Sequence, residues 1–132
     1  MTRIAIALAA LILSAGSALA QGDVAAGENV FKKCTVCHAV GEGAKNKVGP
    51  VLNGVFGRVA GTLEGFKFSD AMVKAGADGL LWTPAIMAEY LVKPRDYVKG
   101  TKMTFNGLPK PEDIANVIAY LETFSPDYVP VP

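Results

Sequence analysis

Cys34-Thr35-Val36-Cys37-His38 holds both cysteines and the single histidine of this 132-residue chain, so any chemistry that needs a thiol or an imidazole converges on five residues. Two cysteines separated by two residues can turn their sulfurs to one side of a tight helical turn. There they can add to the two vinyl groups of one haem, and the adjacent imidazole then meets the iron. Three other readings compete. A thioredoxin-like dithiol is expected beside a βαβ pattern, which the chain does not display. Zinc takes four ligands, and Cys34, Cys37 and His38 supply three unless a carboxylate joins them. A disulfide closing so short a loop adds little stability and leaves His38 without a role.

The N-terminus bears on the compartment. Arg3 precedes an unbroken ten-residue apolar run, Ile4 to Leu13, and Ala18-Leu19-Ala20 has the small-x-small form of a signal-peptidase site. Ten apolar residues fall short of the roughly 20 that span hydrocarbon. Residues 1–20 are therefore expected to be a cleaved secretory signal, leaving a single domain, 21–132, in the bacterial periplasm, where covalent haem attachment takes place. Cleavage removes Arg3 and leaves twelve basic against twelve acidic residues. That balance predicts neither nucleic-acid binding nor membrane adsorption. A chain of this length buries a modest core, and a covalent haem would supply its missing apolar centre.

Along the mature chain the pattern is all-α, with helices joined by glycine-rich connections and no alternating strand. Asp23 can cap a helix in which Val24, Gly27, Val30, Phe31 and Cys34 recur at three- and four-residue intervals, delivering the chain into the Cys-x-x-Cys-His motif. From Gly41 to Gly65 there are seven glycines, one proline and little periodicity, as in a loop that wraps something else. Ser69-Asp70 can start a short helix ending by Gly76. Thr83-Pro84 reads as an N-cap with proline in the first turn, Ile86, Met87, Tyr90 and Leu91 form one apolar face, and Pro94 stops it. A last helix begins at Pro111-Glu112-Asp113, buries Ile114, Val117, Ile118 and Leu121, and ends at Ser125-Pro126.

If an iron is present, its sixth ligand separates an electron carrier from a gas-binding protein. No second histidine exists, so ligation by two imidazoles is excluded. Met72 and Met87 fall on helical apolar faces, where methionine is usually core filling. Met103 follows Lys99-Gly100-Thr101-Lys102 and precedes Thr104-Phe105-Asn106-Gly107, a polar segment without helical period. There it has little core to fill, and it is the favoured candidate.

Further segments carry a resemblance. Gly49-Pro50-Val51-Leu52-Asn53-Gly54-Val55-Phe56-Gly57-Arg58, Gly65-Phe66, Leu81-Trp82-Thr83, Glu89-Tyr90-Leu91, Lys93-Pro94, Tyr97, Gly100-Thr101-Lys102-Met103-Thr104-Phe105 and Ile118-Ala119-Tyr120-Leu121 follow in the order seen in class I c-type cytochromes. From Gly22 to Phe124 the chain resembles that family, especially its bacterial cytochrome c2 and mitochondrial cytochrome c members. The resemblance implies a small cytochrome c fold, four to five helices and glycine-rich loops around one haem c joined to Cys34 and Cys37. It implies His38 and Met103 as axial ligands, and a Pro50 carbonyl that accepts the Nδ1 hydrogen of His38. It also implies that Arg58, Ser69 and Trp82 meet haem propionates, that Tyr90 lies near the methionine sulfur with Thr101 as polar support, and that Gly27, Phe31 and Tyr120 join the first and last helices. Two positions depart from the pattern. Phe68 stands where relatives usually have a propionate-bonding tyrosine, and the region of Met72 lacks the familiar asparagine.

Lys32, Lys33, Lys45 and Lys47 flank the attachment motif, while Lys93, Arg95, Lys99 and Lys102 precede Met103 with only Asp96 opposing them. A basic ring of this kind would steer a monomer toward acidic surfaces on an oxidase, reductase or reaction centre. The expected function is a soluble periplasmic one-electron shuttle cycling between Fe(II) and Fe(III), not an enzyme. The rivals are a haem subunit of a dehydrogenase, a small-gas-binding protein with an open sixth position, and a peroxidase, which would lack its distal base.

Overall fold

A computed structural model describes residues 22–130, so the expected signal at 1–20 lies outside the described residues. The first helix, α1 (Val24–Phe31), starts where the Asp23 carboxylate accepts a hydrogen bond from the Ala26 amide at 2.7 Å. It ends three residues before Cys34, earlier than the periodicity predicts. The amides of Lys32, Lys33 and Cys34 reach back three residues instead of four, tightening the chain into the Cys34–His38 turn. Ser69 caps α2 (Asp70–Ala77) through a 3.1 Å bond from the Met72 amide. Thr83 caps α3 (Pro84–Val92) in the same way, and Pro84 occupies the first turn, where its missing N–H costs nothing. Pro94 stops α3 as expected, but it also opens a one-turn helix, α4 (Pro94–Tyr97), because proline fits the first position of a new helix. The last helix is α5 (Pro111–Glu122). Among the described residues the β-type pairing is one isolated bridge, Val59 to Leu81. No helix among them is long and apolar enough to cross a membrane.

The frame is the crossing of α1 on α5. A Cβ on Gly27 would lie 1.9 Å from the Asn116 carbonyl oxygen and 2.8 Å from the Tyr120 Cβ, so only glycine lets the two backbones approach this closely. Beside it the Phe31 and Tyr120 rings tilt against each other at 5.4 Å. Val30 and Phe31 of α1 join Ile114, Val117, Ile118 and Leu121 of α5 in the core, and α3 adds Met87, Tyr90 and Leu91. The loop after α3 returns at Gly107, where a φ of +104° and the 2.0 Å at which an added Cβ would meet the Val92 carbonyl oxygen demand glycine, and the Leu108 amide bonds the Leu91 carbonyl. The segment between α4 and this anchor carries Met103.

Candidate functional site

Cys34, Cys37 and His38 sit on one turn, closed by 3.1 and 2.8 Å bonds from the Cys37 and His38 amides to the Cys34 carbonyl. Both cysteines are free and half-buried. Burial pushes the Cys34 thiol up to about 11, with Cys37 adding to the shift and Lys33 opposing it. A redox dithiol needs a thiol pushed the other way, so the burial of Cys34 runs against a thioredoxin-like role.

His38 is held from two sides. Its Nδ1 lies 2.7 Å from the Pro50 carbonyl oxygen, which can only accept, so the hydrogen resides on Nδ1 and the Nε2 lone pair is left for another partner. Burial lowers the pKa of the ring, against the Pro50 contact that raises it, and this keeps the imidazole neutral. Gly49 packs flat on the ring: a Cβ there would lie 2.5 Å from Cε1. The Gly49 amide bonds the Cys37 carbonyl at 2.8 Å, and Lys47 Nζ donates to the Thr35 carbonyl, so the 47–50 segment is laced to the motif.

A second group forms around Met103. The Tyr90 hydroxyl donates to the Met103 sulfur at 3.0 Å, and the Thr101 hydroxyl accepts from the Met103 amide at 3.3 Å. Burial pushes the Tyr90 phenol up to about 12, with Thr101 countering it, so the hydroxyl remains a donor at any ordinary pH. The Tyr90 ring meets Trp82 edge-on at 4.9 Å and Tyr97 at 6.0 Å. Met72 and Met87 are buried in the core at 8% and 5% exposure, while Met103 is only partly buried.

Arg58 connects the two groups. Its guanidinium donates to the Asn53 carbonyl at 2.7 Å and reaches the Val51 carbonyl at 3.5 Å, one residue from Pro50. Its own carbonyl accepts from the Trp82 amide at 2.9 Å. Among the described residues no carboxylate pairs with this half-buried cation. Burial lowers its pKa, the mark of a cation short of a counter-charge. Ser69 is buried with its oxygen occupied as the α2 cap, which leaves its hydroxyl hydrogen for a further acceptor.

The donor set fits a haem. It comprises a neutral imidazole with Nε2 free, a thioether fixed by a phenol, two thiols on one turn and a guanidinium, without a carboxylate partner among the described residues, suited to a propionate. Among the described residues no three His, Cys, Asp or Glu side chains are grouped as a metal ion would need, so the carboxylate required by the zinc reading is not supplied.

Three contributors escaped the sequence reading as parts of the site. Gly49 precedes a proline and is legible as a tight approach only once His38 is known to lie beneath it. The Asn53 side chain exchanges two bonds with Gly41, at 2.8 and 2.7 Å, and pins the loop over the motif. Ser125, expected only as a helix terminator, accepts the Phe56 amide at 3.2 Å.

Comparison with known proteins finds the cytochrome c family model matching residues 24–125. Cytochrome c2 of Afifella marina is 58% identical over 112 residues, covering 84% of this chain and 90% of that protein. Cytochrome c2 of Blastochloris viridis is 46% identical over 127 residues, covering 96% and 97%. The solved structure of cytochrome c2 from Rhodospirillum centenum superposes with a TM-score of 0.76 at 44% identity, covering 80% of this chain and all of that one.

Proposed function

The chain belongs to the cytochrome c family, and from that premise we propose that it shuttles single electrons in the bacterial periplasm, with His38 and Met103 as the residues that would ligate its iron. It is an electron-transfer cytochrome with one haem c, joined through Cys34 and Cys37. The bound haem supplies a one-electron couple between Fe(III) and Fe(II).

The observation that carries the ligand assignment is the 3.0 Å bond from Tyr90 to the Met103 sulfur. A methionine that merely filled space would not be given a buried phenol as a partner, and Met72 and Met87 have no such contact among the described residues. Tyr90 fixes which lone pair of the sulfur is spent on hydrogen bonding and leaves the other for the iron. On the opposite ligand, Pro50 holds the Nδ1 hydrogen, fixing the ring orientation and making Nε2 more basic. A histidine paired with a thioether raises the reduction potential relative to two imidazoles. Arg58, Trp82 and Ser69 are assigned to the propionates. Phe68 has no hydroxyl to contribute there.

The basic ring is assigned to docking. Among the described residues Lys32, Lys45, Lys99 and Lys102 make no ion pair, and Lys33 and Lys93 make only loose ones at 3.9 and 3.7 Å. Exposed pairs of that length contribute at most about 1 kcal/mol, so these cations are available to an acidic partner. Val36 and Val48, 77% and 79% exposed, stand among Lys32, Lys33, Lys45 and Lys47 as an apolar centre for the contact. Residues 1–20 are assigned to export.

Carbon monoxide distinguishes a closed from an open sixth position. The reduced protein at neutral pH is expected to leave its spectrum unchanged under carbon monoxide, and prompt binding would favour a gas-binding role. For docking, the rate of reduction by a membrane complex should fall steeply with ionic strength, and a rate indifferent to salt would remove the steering assignment.

A further inference from the structure

We propose that Ser125 is a positioning residue for the electron-transfer site, acting through Phe56 on Arg58; the proposal rests on the assignment of Arg58 to a haem propionate. The chain beyond α5 does more than terminate the helix. The Phe124 carbonyl accepts the Gly54 amide at 2.8 Å, and the Ser125 hydroxyl accepts the Phe56 amide at 3.2 Å. Ser125 and Phe56 are 6% and 4% exposed, so this is a buried polar contact between segments 69 residues apart in sequence. A turn closed by the Tyr128 amide on the Ser125 carbonyl, at 3.1 Å, then brings the Tyr128 ring within 6.0 Å of Phe56.

The loop held in this way is the one that carries Arg58. Gly57 is fixed on its other side by a 2.8 Å bond from its amide to the Trp82 carbonyl, and the Arg58 amide closes a turn on Val55 at 3.2 Å. Residues 54–58 are thus pinched between the Trp82 segment and the Phe124–Tyr128 segment. Arg58 leaves this clamp to bond the carbonyls of Asn53 and Val51, next to the Pro50 carbonyl that orients His38. A buried amide without an acceptor is costly, so removing the Ser125 hydroxyl obliges Phe56 to move or to admit water. Either response shifts the backbone from which the guanidinium extends. A guanidinium held less firmly beside a propionate would stabilise the ferrous form less, which lowers the reduction potential.

The test is the reduction potential of the holoprotein in a set of variants, with amide exchange at Phe56 measured alongside. S125A is expected to lower the potential and speed Phe56 exchange, and S125T, which keeps the hydroxyl, is expected to restore both. R58M alone is expected to lower the potential, and adding S125A to R58M is expected to change it no further. Y128A loosens the same turn from the half-exposed side and is expected to shift the potential in the same direction as S125A, an effect also abolished in R58M. It serves the comparison if S125A fails to fold. A wild-type potential in S125A and Y128A beside a lowered one in R58M overturns the proposal while leaving the Arg58 assignment intact. So does an S125A or Y128A shift that persists undiminished in R58M. A wild-type potential in R58M overturns that assignment, and this proposal with it.

Discussion

Gly49→Ala puts the packing of His38 to a quantitative test. The added Cβ would lie 2.5 Å from Cε1, 2.9 Å from Nδ1 and 3.0 Å from Nε2 of the ring, where ordinary contact begins at 3.4 Å. The φ of Gly49 is not positive, so backbone preference plays no part and the clash alone decides. Neither side can yield freely. The Gly49 amide is bonded to Cys37 and its carbonyl to the Lys47 amide, while the ring is bonded to Pro50. Relieving the worst contact needs a displacement of about 0.9 Å. Applied to the 2.7 Å contact between Nδ1 and Pro50, that shift stretches it to about 3.6 Å, beyond hydrogen-bonding range. Overpacking costs about 1–3 kcal/mol and the lost hydrogen bond about 1 kcal/mol, so G49A should destabilise the oxidised holoprotein by about 2–4 kcal/mol. For a domain of this size that corresponds to a fall in Tm of about 10 °C or more. The assays are denaturant unfolding followed by circular dichroism and the proton resonance of His38 Nδ1. A stability within about 0.5 kcal/mol of wild type, together with an unmoved Nδ1 proton, would refute the reasoning.

Gly27→Ala should cost about 3 kcal/mol or more, because its Cβ would enter the Asn116 carbonyl at 1.9 Å and part α1 from α5; denaturant unfolding with a wild-type midpoint would contradict the crossing geometry. Tyr90→Phe keeps the ring contacts with Trp82 and Tyr97 and removes only the bond to Met103, so the potential should shift while Tm changes by a few degrees. The same variant predicts an alkaline effect. With the folded phenol raised to about 12 against an ordinary value of 10, the unfolded chain ionises first. Stability is then fully present below pH 10 and declines toward pH 12 by about 2–3 kcal/mol, and Y90F should lack that part of the decline in pH-dependent unfolding.

The helices were legible because each carries its own start signal. Asp23, Ser69 and Thr83 form the side-chain caps expected of them, and Pro111 opens α5 ahead of Glu112 and Asp113. The one-turn α4 was not, since four residues hold no period and Pro94 reads equally as a stop. The spacing at 34–38 offered a haem tether beside three competing readings, which the export signal and the wider resemblance narrowed, but nothing local in the sequence joins Met103 to Tyr90 or Arg58 to Trp82. Those links depend on the Val59–Leu81 bridge and on α3 packing against α5, which bring distant segments together. Ser125 was the least visible of all. A serine before a proline signals a helix end, and its bond to Phe56 exists only once the loop at 54–58 has folded back under it.

The central claim, that Met103 closes the coordination sphere opposite His38, is tested most directly by the visible and near-infrared spectrum of the oxidised protein and of M103A. The wild type should display the sulfur-to-iron charge-transfer absorption of a methionine-ligated low-spin haem, and M103A should lose it and bind carbon monoxide when reduced. An unchanged six-coordinate low-spin spectrum in M103A, with the charge-transfer band retained, would contradict the account.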